Sequence, residues 1–97
     1  MSADNLDWLG EWYLRHANGD WEHRHGIKVG TIDNPGWRVQ ICLAETSLST
    51  KSFDRVEIER SDNDWTHCWI ANQTFEIACG PMNLNQALGI FRNWVES

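Results

Sequence analysis

Long apolar runs are missing from this sequence. No stretch of its 97 residues approaches the roughly 20 apolar positions that a membrane-crossing helix needs. The segment from Met1 to Asp7 has neither the basic start nor the apolar stretch of a secretory signal. The expected location is therefore cytoplasmic, with no membrane partner. Basic residues are also scarce: 8 Lys and Arg stand against 14 Asp and Glu, a formal charge of -6. Such a surface repels nucleic-acid phosphates, which excludes nucleic acid as a direct partner and suits a basic protein instead. Cysteine is limited to Cys42, Cys68 and Cys79. An odd, widely spaced set is not a disulfide framework. Glycine-rich phosphate loops, dinucleotide fingerprints and serine-nucleophile motifs are absent.

What the chain does have is aromatic bulk. Seven Trp and three Phe supply core material for one small domain, residues 1–97, that must bury its apolar surface densely.

The order of elements follows from periodicity. Asp4 and Asn5 are N-cap residues, and Leu6, Leu9, Trp12, Tyr13 and His16 recur on one helical face, predicting a helix over about 5–17 that stops at Asn18-Gly19. Residues Trp21 to Ile32 read as extended. Asp33-Asn34-Pro35-Gly36 is a turn, in which Pro35 fixes one φ and Gly36 tolerates a positive one. Trp37, Val39, Ile41 and Leu43 then alternate strictly with Arg38, Gln40 and Cys42, predicting a half-buried strand. A Ser/Thr-rich loop over 44–52 precedes three more strands, over 53–60, 65–71 and 74–79, with polar turns between them. After Gly80-Pro81, Asn83 and Gln86 have capping-box spacing ahead of the stripe Leu84, Ala87, Leu88, Phe91, Trp94 and Val95. The expected fold class is α+β: an antiparallel meander of about five strands flanked by an N-terminal and a C-terminal helix packed on one face. Trp37, Trp65, Trp69 and Trp94, with Trp8 or Trp12, are expected to point inward.

Catalytic and metal chemistry find little support. His23-x-His25 would place two imidazoles on one side of a strand, but no third ligand is evident, so no metal is expected. Cys79 is the only cysteine at a loop position. A small thiol-dependent sulfur-transfer or redox enzyme using Cys79 is the alternative function, although Pro81 removes a backbone donor that would hold a thiolate. No catalytic residue is assigned. Two acidic clusters remain. One is Asp20, Trp21, Glu22 and His23, where Trp21 between acids resembles an interface anchor. The other comprises Asp33 and Trp37 at the first turn with Glu57, Glu59, Asp62 and Asp64. Either could face a basic protein. A third reading is an adaptor that self-associates through an exposed strand edge. The oligomeric state stays open, with a monomer the simpler reading.

Several runs occur together in one order: Trp8-Leu9-x-x-Trp12-Tyr13, Gly19-Asp20-Trp21-Glu22-His23, Gly26-Ile27-Lys28-Val29, Asp33-Asn34-Pro35-Gly36-Trp37, Ile58-Glu59-Arg60-Ser61-Asp62-Asn63-Asp64-Trp65 and Gly80-Pro81-Met82-Asn83-Leu84. In this respect the chain resembles the immunity protein 53 family, and the resemblance spans nearly its whole length. It implies a bacterial polymorphic-toxin system, in which a protein encoded beside a toxin protects the producing cell. The implied mechanism is stoichiometric binding of a cognate toxin domain, with no cofactor. The charge alone adds the expectation that the toxin is basic, a nuclease being one such class.

Overall fold

In the computed structural model, which describes residues 4–97, helix α1 spans Asn5–His16. Asp4 caps it, its side chain accepting the Asp7 N–H at 2.7 Å. A single helical turn, α2, covers Trp21–Arg24. The strands are β1 (Ile27–Ile32), β2 (Gly36–Cys42), β3 (Val56–Ser61), β4 (Asp64–Ala71) and β5 (Thr74–Cys79). Helix α3, Leu84–Glu96, closes the chain. This is the expected α+β arrangement of five antiparallel strands with an N-terminal and a C-terminal helix.

The strand order is β1-β2-β5-β4-β3. It differs from one continuous meander. The β1–β2 hairpin and the β3–β4–β5 meander are separate units, joined where β2 pairs with β5 from Trp37↔Cys79 to Cys42↔Thr74. The segment between β2 and β3 therefore crosses three strand positions, and it does so over the end of the sheet. Leu48 plugs into the core on the way, and the Trp94 indole donates to Ser52 O at 2.7 Å.

Strand parity divides the residues between two faces. Val39, Ile41, Thr66, Cys68, Phe75, Ile77 and Cys79 are buried under the helices, against Trp8, Leu9, Trp12, Leu88, Phe91 and Trp94. Phe91 is the hub, in edge contact with Trp8, Trp12 and Phe75 at 5.9, 5.3 and 4.9 Å.

Four expectations change. Residues 21–24 are helical, because Asn18 Oδ1 accepts the Asp20 and Trp21 N–H groups and folds the chain back before the strand begins. Trp65 and Trp69 lie on the face away from the helices, since Thr66 and Cys68 are the buried parity of β4. Gly36 has no positive φ. It stands in β2 because a Cβ there would collide with the Cys79 carbonyl oxygen, so glycine lets β2 and β5 close up. Asn83 makes no side-chain cap on α3. Its amide instead accepts the Trp65 N–H at 3.3 Å and donates to Asp64 at 2.9 Å and Gln86 at 3.2 Å, tying the helix start to β4.

Candidate functional site

The helices cover one side of the sheet and leave the other open. Register places residues on that open face in rows across the strands. One row runs Gly30, Arg38, Ala78, His67, Glu57, and the next runs Lys28, Gln40, Glu76, Trp69. The second row is cross-linked. Glu76, only 8% exposed, receives Arg38 at 2.9 Å and Gln40 at 3.3 Å. The guanidiniums of Arg38 and Arg55 lie 5.0 and 5.2 Å from the centre of the Trp69 ring. Arg55 also pairs with Glu57 at 2.7 Å. Each cation–π contact at such a site contributes about 0.5–1 kcal/mol, and their joint effect is to hold Trp69 and both arginines in place.

Toward the β1–β2 and β3–β4 turns the face becomes concave. Ala78 contributes little bulk between Ile32 on one side and Trp65 and His67 on the other. The resulting hollow, about 690 Å³, is rimmed by Asn34, Glu59, Arg60 and Asp62. His67 Nε2 sits 2.9 Å from Glu59 Oε2, and its ring meets Trp65 edge-on at 5.4 Å. Asp64 is occupied, receiving Arg60 at 3.3 Å as well as Asn83. Among the described residues, Asp33 and Asp62 carry no ion pair. This end of the open face therefore presents the carboxylates of Asp33 and Asp62, without an ion pair, beside an aromatic wall.

The candidate residues from the sequence separate accordingly. Glu59 and Asp62 rim the hollow, with Asp33 in the adjoining turn and Glu57 in the neighbouring row. Trp37 leaves this group. It shares the helix-side parity of Val39 and Ile41, and its indole donates to Pro81 O at 3.0 Å. The cluster at Asp20, Trp21, Glu22 and His23 lies at the opposite end of the sheet, where β1 begins. Within it Trp21 is no surface anchor: its ring is 2% exposed, packs on Trp12 and His16, and donates to Ala44 O at 3.0 Å. Glu22 serves the local fold. Its own backbone N–H, and those of Asn18 and Gly19 at 2.9 and 2.6 Å, hold its carboxyl below the usual range. Asp20 pairs with Arg24 at 2.9 Å, and His23 is exposed.

Sequence reasoning missed Trp65, His67 and Trp69 as groups of the open face. A signal was present: Trp65, His67 and Trp69 recur at every second residue, which on a strand is one face.

Thiol chemistry fits poorly. Cys79 is fully buried, and burial pushes its thiol up to about 11. Burial, reinforced by the neighbouring Cys79, pushes Cys68 up to about 12. A nucleophile needs the opposite shift and an open approach. His23 and His25 do not share a strand, and no cluster of three His, Cys, Asp or Glu side chains suited to a metal occurs among the described residues. No helix among them is long and apolar enough to cross a membrane.

No curated protein and no solved structure matches the chain. A profile of one protein family does, over residues 6–96, and that span takes in both helices, the whole sheet and the open face. The chain belongs to the immunity protein 53 family.

Proposed function

We propose that this protein protects a bacterial cell by binding a cognate polymorphic toxin in the cytoplasm and blocking it stoichiometrically, through the open face of the sheet and without catalysis. The observation that carries the proposal is the family match across residues 6–96. The open face supplies the physical means. It has two partly buried tryptophans, Trp69 held between Arg38 and Arg55 and Trp65 against His67, of the kind that binding hot spots use, and the hollow at one end provides a charged rim. Asp33, Glu57, Glu59 and Asp62 are the contact residues in this reading, with Trp65 and Trp69 beside them. A toxin domain with a basic surface is the matching partner, a nuclease among the candidates, since complementary charge raises the rate of encounter and penalises wrong partners.

Calorimetric titration with the toxin domain encoded by the neighbouring gene tests the proposal, paired with growth of cells expressing that domain. Nanomolar one-to-one binding, on the order of 12 kcal/mol, with restored growth is expected. Absence of both heat and protection with that toxin would overturn it.

A further inference from the structure

The two edges of the sheet are treated differently. The β3 edge carries Glu57, Glu59 and Arg60, and its pairing with β4 is irregular between Glu59 and Ser61. Charges and bulges are the usual means of keeping an edge from pairing with another chain. The β1 edge has no bulge and a single charge. Its pairing with β2 is regular from Ile27↔Ile41 to Ile32↔Gly36, and Lys28 is its only charged residue. Val29 is 54% exposed although it shares the helix-side parity of Val39 and Ile41, because the helices do not reach this far across the sheet.

The backbone of this edge is available. Cys42 N–H donates to Gly26 O at 3.1 Å, which fixes which residues of the strand bond toward β2. The alternation of an antiparallel ladder then leaves the N–H and C=O groups of Ile27, Val29 and Thr31 directed outward. Alongside, on the helix side, a groove of about 230 Å³ is lined by Leu6, Leu9, Gly10, Tyr13 and Ile27. Leu6 is 63% exposed there.

Two glycines in this patch have no explanation within the chain. Gly10 lies inside α1 and Gly30 inside β1; neither has a positive φ, and a Cβ at either would meet nothing within 4 Å. Glycine inside a helix or strand is less stable than alanine there, because it loses more backbone freedom on folding. A glycine inside a strand often marks the close approach of another backbone.

We infer that β1 pairs antiparallel with β1 of a second copy of this chain, forming a two-fold dimer with one ten-stranded sheet. The edge is self-complementary in one register. Val29 opposite Val29 sets Ile27 opposite Thr31, so all three outward-directed residues of each strand find partners. That register puts Lys28 opposite the partner's Gly30, which leaves room for the long side chain and avoids facing like charges. The two-fold axis is perpendicular to the sheet and passes midway between the two Val29 residues. Both pairs of helices then lie on one side, where the two grooves meet, and both open faces remain free on the other. The inference stands independently of the toxin reading. Each copy carries a charge of -6, so the dimer tightens as salt screens their repulsion.

Sedimentation velocity on the full chain, from low to high micromolar concentration and at two salt concentrations, is the test, combined with amide hydrogen exchange. A species of twice 11.3 kDa is expected, with protection at the Ile27, Val29 and Thr31 amides that increases with concentration. V29K, which sets two like charges on the axis at an already exposed position, should raise the dimer dissociation constant roughly tenfold or more. T31P, which removes an outward-directed donor, should do likewise, and an unchanged circular dichroism spectrum should show that both variants fold. A monomer at every concentration and salt, with these amides unprotected, would overturn the inference. So would protection that appears only when the toxin domain is added, which would assign the edge to the toxin.

Discussion

Replacing Trp21 with alanine separates a core residue from a contact residue. The ring is 2% exposed and lies 5.8 Å from Trp12, 5.7 Å from His16 and 6.1 Å from Tyr13. Truncating a buried Trp or Phe costs about 3–5 kcal/mol, because the void is only partly refilled. The loss of the indole N–H leaves the Ala44 carbonyl short of its donor, a cost of about 1 kcal/mol when water cannot fully replace it. The total, about 4–6 kcal/mol, is a large share of the roughly 5–15 kcal/mol by which a small domain is stable. Urea unfolding, followed by far-ultraviolet circular dichroism so that the lost chromophore does not matter, should show W21A at a much lower midpoint with little change in slope. W21F keeps most of the packing and loses only the hydrogen bond, so its midpoint should fall between the two. A W21A variant as stable as the parent would refute the assignment of Trp21 to the core. If it also failed to bind toxin, the ring would be a surface anchor after all.

Three further outcomes follow from the geometry. G36A sets a methyl group against the Cys79 carbonyl and should destabilise the domain by about 1–3 kcal/mol in the same assay, as overpacking does, whereas G30A should cost far less in the isolated chain. Cys68 and Cys79 should resist thiolate-specific alkylation at neutral pH until the chain is unfolded, with the partly buried Cys42 reacting first; rapid selective labelling of native Cys79 would revive the thiol-enzyme reading. For Glu22 the folded carboxyl titrates below its ordinary 4.5. Its contribution is thus present above that value and disappears as pH falls through the lower folded one, so E22Q should remove part of the acid-side loss of stability seen in a urea-midpoint against pH profile.

Much of the fold was readable because its strongest patterns are local. The alternation from Trp37 to Leu43 depends only on neighbours in sequence, and so does the helical stripe ending at Phe91 and Trp94. Strand order was not readable, since parity reports faces and not neighbours: nothing in residues 37–42 says that their second partner is 74–79. In β4 both parities are hydrophobic enough to be core. Thr66 and Cys68 take the inside, level with Cys79 and Ile77 of β5, and the larger Trp65 and Trp69 take the open face, where Trp69 packs against Arg38 and Arg55 and Trp65 against His67. Trp21 was misplaced for a different reason. The turn that buries it is set by Asn18 and Glu22 bonding to nearby backbone N–H groups, a polar arrangement with no period. The acidic candidates at 33, 57, 59 and 62 were visible as charges, but that Glu59 and Asp62 rim one hollow, with Asp33 and Glu57 near it, required the strands to be in register.

The measurement that bears most directly on the account is the affinity of the neighbouring gene's toxin domain for the wild-type chain and for the E59K/D62K double variant, taken over a range of salt concentrations. Both positions are exposed, so the fold should be unaffected. The account predicts tight binding by the wild type that weakens as salt rises, and binding by the double variant weaker by roughly tenfold or more, the scale of about 1.4 kcal/mol. Equal affinity for the two proteins at every salt concentration would contradict it, and would place the toxin on some other surface of the molecule.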